Sequence, residues 1–275
     1  MKMRQGPSFI GIGASHAGLT QITKWLSEHE AVADTIPAVN FFNTEVYTKK
    51  GLDWYEATVS HGHSQSGRLC GDVSAGYLVS SETPNRIASS YSNTKLFVVV
   101  RHPLKRALAA YIARQKIDKK AQTLNAAAYL SAEPALQLES CYADHLAHYY
   151  EYYAPVNLHV VVYEDLVADP LKTISELYAY LEVDKNFIPK SLRHLAPPPE
   201  PPKHPGLIKR AIMRSKKIYK KLTVRPVGPL FDDDPDLSTL LTEAERTLFL
   251  QSMYPATDRL SHLLGRDMVA FWELR

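Results

Sequence analysis

The sequence has no long apolar run. Its apolar runs, such as Leu96-Phe97-Val98-Val99-Val100, are only a few residues long, whereas a helix needs about 20 to cross a bilayer. The basic start Met1-Lys2-Met3-Arg4 is followed by Gly6, Pro7, Gly11 and Gly13, which interrupt any apolar core of a signal peptide. Cysteine is scarce. Cys70 and Cys141 among 275 residues cannot build a disulfide framework, so a reducing, cytoplasmic setting is the expectation. An apolar fraction of 45% and a charged fraction of 22% exclude wholesale disorder and fibrous repeats. The length allows one large domain or two small ones, with ample material for a buried core.

Acidic residues are missing from one stretch in particular. Lys203 to Arg225 holds nine Lys/Arg and no Asp or Glu, and subtracting these nine from the net +3 leaves −6 on the remaining chain. Within it, residues 207–225 read as an amphipathic helix, with Ile208, Ile212, Tyr219 and Leu222 on one side and Arg210, Arg214, Lys217 and Lys221 on another. Two readings stand: a solvated helix face, or contact with a polyanion or a membrane surface. No aromatic residues interleave these charges in a nucleic-acid pattern, so no nucleic-acid partner is expected. Six prolines between residues 196 and 205 make 196–206 a stiff connector. We expect one domain over residues 1–275, closed by helix over 242–275. There Thr242 and Glu245 have capping-box spacing, and Leu260, Leu263, Leu264, Phe271 and Trp272 should return to the core.

Strands and helices alternate through the rest. Apolar, β-branched runs at 8–13, 95–101 and 158–163 read as buried strands. Leu19, Ile22, Trp25 and Leu26 recur at helical spacing. Pro103 suits a helix start, segments 125–132 and 138–153 read as helical, and a helix is expected from about Pro170 to Leu181. This is the pattern of βαβ units, hence an α/β fold of three layers, αβα, around a central parallel sheet.

The most informative stretch is Gly13-Ala14-Ser15-His16-Ala17-Gly18-Leu19-Thr20. It has the strand–loop–helix placement and G-x-x-x-x-G-x-T spacing of a P-loop, whose backbone N–H groups cradle an oxyanion. A tight turn using glycine only for packing is the other reading. The Walker lysine is absent, because Leu19 stands where it would reach a transferred phosphate. That counts against an NTPase or kinase. Arg101 ends a buried strand at the carboxyl edge of the sheet, where open α/β folds bind ligands, and its guanidinium fork suits phosphate.

Taken with these, the chain resembles the sulfotransferases that use 3′-phosphoadenosine 5′-phosphosulfate (PAPS), in their bacterial and carbohydrate-type branch. The matching residues are Gly13 through Leu26; Arg101, Pro103, Arg106 and Tyr111; Phe41-Phe42 with Gly51-Leu52-Asp53-Trp54-Tyr55; Tyr142 and Leu146; Tyr163-Glu164-Asp165-Leu166-Val167-Ala168-Asp169-Pro170; and Leu260 to Asp267 with Trp272. The resemblance implies a P-loop-like sulfotransferase fold and PAPS as cofactor, held by Ser15, His16, Ala17, Gly18, Leu19, Thr20 and Arg101. It implies a hydroxylated or amine acceptor, saccharide or small metabolite, near Asn40, Phe42 and Ser74.

Departures accompany it. His16 stands at the loop lysine's position, Leu19 at a threonine, Ala109 at the serine that helps hold the 3′-phosphate, and Pro37-Ala38 at a Lys-Glu pair whose Glu takes the acceptor proton. Val73-Ser74-Ala75-Gly76-Tyr77 keeps the serine and tyrosine of another motif. His16 is therefore the candidate catalytic residue, acting on the leaving phosphate. Asp72, Glu45, His61 and His63 are the candidates for the base. The alternative is a relative that binds or assembles without catalysis. No metal is expected: Asp144 or His145 with His148, and His61 with His63, lack a third ligand. Glu164 and Asp165 read as structural, as does the Tyr149, Tyr150, Tyr152, Tyr153 cluster.

Overall fold

The computed structural model describes residues 6–33, 35–60, 67–195 and 240–274. The proline connector, the basic strip, His61 and His63 lie outside these residues. Five parallel strands form one sheet in the order β2-β3-β1-β4-β5, where β1 is Phe9–Gly13, β2 Ile36–Pro37, β3 Gly71–Val73, β4 Lys95–Val100 and β5 Leu158–Val162. The three strands expected from apolar runs are β1, β4 and β5. The other two are too short, and too broken by Pro37 and Gly71, to show in the sequence.

Central β1 pairs with β3 on one side and β4 on the other, with Phe9 opposite both Gly71 and Lys95. The chain therefore winds first one way and then the other, and the carboxyl end of β1 opens where the two directions part, the usual ligand crevice of such sheets. Helix α1 (Leu19–Glu28) follows directly and buries Leu19, Ile22, Trp25 and Leu26, the face expected from their spacing. Helix α2 (Val46–Ser60) and α3 (Thr83–Ser90) precede β4. Helix α4 (Pro103–Arg114) starts at Pro103, with the His102 ring accepting a hydrogen bond from the Leu104 amide. After α4 come α5 (Lys119–Thr123), α6 (Ala126–Ala132), α7 (Pro134–Leu138) and α8 (Tyr142–Tyr150), then α9 (Tyr163–Ala168) and α10 (Pro170–Tyr180) around β5.

The closing helix α11 (Glu243–Leu264) has the expected capping box at Thr242 and Glu245, and α12 is Met268–Phe271. Leu260 and Trp272 are buried. Phe271 departs from expectation, since it stays exposed and carries the Arg266 guanidinium 3.8 Å above its ring. Arg266 in turn grips Asp165 with both of its terminal nitrogens. Glu164 accepts from the His102 amide (2.9 Å) and the Trp272 indole (3.0 Å). Both acids are structural, as their place in the sequence suggested.

A second core joins α4 to α6 and α7 through Leu104, Leu108, Tyr111, Tyr129 and Leu136. Arg106, with no exposed surface, locks this unit together. Its Nε donates to Ser140 Oγ (2.6 Å), Nη1 to Glu139 Oε2 (3.0 Å) and Nη2 to the Leu136 carbonyl. A buried guanidinium is tolerable only when its donors are satisfied in this way.

On the other side of β1, fully buried Asp72 of β3 gathers three hydroxyls. Ser74 donates to Oδ1 (2.6 Å), and Tyr77 (2.6 Å) and Tyr55 (3.0 Å) donate to Oδ2. Ser74 Oγ and the Tyr77 hydroxyl then accept from the amides of Asn40 (3.0 Å) and Phe41 (2.9 Å). Asp72 thereby fixes the 40–42 segment without touching it. Desolvation raises its pKa from 3.8 to about 6 against the opposing pull of the three hydroxyls. The folded chain holds this proton more tightly than the unfolded one, so Asp72 favours folding below about pH 4, and that contribution is lost as pH rises through about 6. Asp72→Asn should flatten this slope in urea melts taken between pH 4 and 7. Asp72→Ala, which orphans three hydroxyls, should cost on the order of 3 kcal/mol.

Candidate functional site

The loop between β1 and α1 is shaped by two left-handed residues, His16 at φ 61° and Gly18 at φ 93°. Gly18 suits the second position twice over, because a Cβ there would also sit 2.8 Å from the Tyr163 ring. The Ala14 amide donates to the Val99 carbonyl of β4 (2.8 Å), which docks the loop on the sheet. None of the backbone N–H groups from Ser15 to Thr20 meets an acceptor among the described residues. Helix α1 has neither a side-chain cap nor an acidic residue in its first turn. Successive amides turned through left-handed residues into a helix N-terminus make a concave anion nest. A purely packing turn would leave the same donors to water.

Arg101, only 5% exposed, is pinned beneath the loop. Its Nη1 donates to the His16 carbonyl (2.7 Å), and its guanidinium lies 4.3 Å from the centre of the Tyr163 ring. The Tyr142 hydroxyl holds the Arg101 backbone from behind, donating to its carbonyl at 2.8 Å. The two strand ends singled out in the sequence are therefore brought together, and Arg101 adds its charge to the nest from below.

The His16 side chain stands exposed at the mouth of a cleft of about 200 Å³ whose walls include Ser15, Gly76, Arg114, Leu136 and Glu139. Desolvation by the surrounding protein lowers the His16 pKa, and the Arg106, Arg101 and Arg114 charges lower it further. The free protein thus presents a neutral imidazole in a field of three guanidiniums, a setting that invites an anion to restore its proton.

The remaining expected residues fall into distinct places. Ala17 and Leu19 are buried, with Leu19 on the core face of α1, while Thr20 is exposed beside it. Asn40, itself at φ 49°, lies half-buried next to the Asp72 cluster. Phe42 is wholly enclosed among Phe41, Tyr55, Tyr77 and Tyr91. Ser74 is equally buried, between Asp72 and the Asn40 amide. Both side chains are packed inward, with no exposed surface. Of the candidate bases, Asp72 is sealed away and Glu45 is an exposed partner of Lys49. Pro37 and Ala38 border an apolar groove with Leu19, Val73 and Ala75. Ala109 is half-buried on α4. Asp144 is paired with Arg259, and no cluster of metal-ligating side chains occurs among the described residues.

The comparisons with known proteins agree with this geometry. The profile of the sulfotransferase domain matches residues 10–196. The mouse and human proteins named heparan sulfate glucosamine 3-O-sulfotransferase 5 are each 25% identical over 194 residues, 66% of this chain and 55% of theirs. A Drosophila melanogaster bifunctional heparan sulfate N-deacetylase/N-sulfotransferase is 29% identical over 207 residues, 64% of this chain and 20% of its own. The chain thus spans about half the length of the first pair and a fifth of the fly protein. Among solved structures, a sulfotransferase from Alicyclobacillus acidocaldarius superimposes with a TM-score of 0.66 at 17% identity, covering 98% of this chain and all of that one. A mouse sulfotransferase complexed with PAP gives 0.54 at 13% identity over 92% of this chain and 84% of its own. These two likenesses concern the fold. The sheet order, the amide nest at its switch point and the matched profile together place this chain in the sulfotransferase domain family.

Proposed function

We propose that the chain transfers a sulfuryl group from PAPS to a hydroxyl or amine of a saccharide-type acceptor. The observation that carries this reading is the run of six amides from Ser15 to Thr20 without an acceptor among the described residues, at a helix start backed by Arg101. The named activity of the heparan sulfate relatives supports a saccharide acceptor, and the PAP-bound fold relative supports the nucleotide. When bound, PAPS would supply the sulfuryl group and a phosphate leaving group.

The amides of Ser15 through Thr20 would hold the 5′-phosphosulfate oxygens, with Leu19 contributing only its backbone. Arg101 would counter the negative charge from beneath the loop and, through its bond to the His16 carbonyl, keep the nest in shape. His16 would take up a proton as the nucleotide enters and donate it toward the oxygen that gains charge as the sulfur departs. Such a donor is worth about 10²–10³ in rate. The cleft walls would hold the acceptor close to the sulfur, which converts an encounter into a positioned reaction. A basic contact with a polyanionic acceptor or a membrane surface through 203–225 remains part of this proposal.

Calorimetric titration with 3′-phosphoadenosine 5′-phosphate tests the reading, with ATP as control. Selective binding is expected, falling by roughly tenfold or more in Arg101→Ala as a charge-assisted contact is lost. Absent or unselective binding would sink the enzyme reading and leave the non-catalytic one. The lowered His16 pKa fixes the pH dependence of this binding. Affinity should rise as pH falls, with proton uptake measured by comparing buffers of different ionisation enthalpy, because binding protonates an imidazole held below the usual histidine range. His16→Ala should abolish that uptake.

A further inference from the structure

We infer that Glu139 is the base that takes the proton from the acceptor, an assignment that rests on the sulfuryl-transfer reading above. Glu139 is the one acidic side chain among the residues lining the cleft that His16 and Ser15 open into. It lies in the turn between α7 and α8. Neither of the other nearby carboxylates qualifies, because Asp72 has no exposed surface and Glu45 faces solvent with Lys49. Pro37 and Ala38 bring no proton acceptor on a side chain.

The way Glu139 is held fits the role. Arg106 donates to Oε2 at 3.0 Å, and no other hydrogen bond reaches the carboxylate among the described residues, so Oε1 has unspent accepting capacity beside the cleft. Arg106 is itself fixed by Ser140 and Leu136 with no exposed surface. The carboxylate is therefore a positioned group on a packed helical unit, as acid–base catalysis requires. The Glu139 side chain keeps 27% of its surface exposed, enough for an acceptor hydroxyl to reach it.

The step balances. The acceptor O–H proton moves to Glu139 Oε1 while the acceptor oxygen bonds to sulfur. The bond from sulfur to the bridging phosphate oxygen breaks, and its electron pair stays on that oxygen, next to His16. Products are the sulfated acceptor and 3′-phosphoadenosine 5′-phosphate, and Glu139 then releases its proton to water.

The test uses the full chain with labelled PAPS and chemically desulfated heparan sulfate as the acceptor probe, with nucleotide affinity measured in parallel. Glu139→Gln keeps an oxygen for Arg106 and removes the base, so kcat should fall by about 10²–10³ at nearly unchanged KM and nucleotide Kd. In Glu139→Ala, added formate should restore at least about tenfold of the lost rate, which a purely structural partner of Arg106 would not permit. A Glu139→Gln variant within about threefold of the parent would overturn the assignment alone. So would a loss of rate matched by a loss of nucleotide binding and not rescued by formate. A parent chain that binds the nucleotide but transfers nothing would overturn the sulfuryl-transfer reading, and the assignment with it.

Discussion

The bond from Arg101 to the His16 carbonyl joins the ends of two parallel strands, and the rest of the site depends on it. Without it the loop after β1 would have only the Ala14–Val99 bond to the sheet, and left-handed His16 would have no reason to persist. With it, six amides without a protein acceptor among the described residues lie at the point where the sheet changes winding direction. Donors in that arrangement are under-satisfied until an anion arrives. On the proposed reading the fold keeps a binding potential in reserve, and the arginine that shapes the nest also charges it.

Around that bond the two flanking units behave differently. The Asp72 cluster uses a carboxylate as an internal bracket, both of its oxygens accepting from hydroxyls, two of which hold the 40–42 segment. The Arg106 cluster uses a guanidinium in the same way but leaves half of the Glu139 carboxylate uncommitted. One buried charge is closed and the other is open to the cleft. The groove bordered by Pro37 and Ala38 is apolar, whereas the cleft that His16 lines carries Glu139. The three guanidiniums that depress His16 are the same ones that would attract an anion to reprotonate it, so binding and activation share one electrostatic origin.

Much of this was legible beforehand. The uninterrupted apolar runs of β1, β4 and β5 and the single-faced spacing of α1 are strong signals, because burial on both faces or along one stripe leaves few other options. The phosphate-type loop and Arg101 could be picked out because each sits at a strand end. Strands β2 and β3 could not, since two- and three-residue strands containing Pro37 or Gly71 have no periodicity to detect. Glu139 gave no local signal: it sits in an ordinary Leu- and Ala-rich stretch, and only the partnership with Arg106, 33 residues earlier, brings it to the cleft. Phe42 and Ser74 were placed near the acceptor by motif, whereas packing turns them inward. Phe271 was expected inside on hydrophobicity alone, but it serves Arg266 at the surface.

The central claim is that the amides of residues 15–20 receive the nucleotide's phosphate. The most direct measurement is a titration of ¹⁵N-labelled chain with 3′-phosphoadenosine 5′-phosphate, followed by amide chemical shifts. The largest changes should fall on Ser15 through Thr20, with the Arg101 guanidinium signal moving in step. Changes centred instead on the mixed-charge hollow beside Lys105, Arg246 and Trp272, with the loop silent, would contradict it.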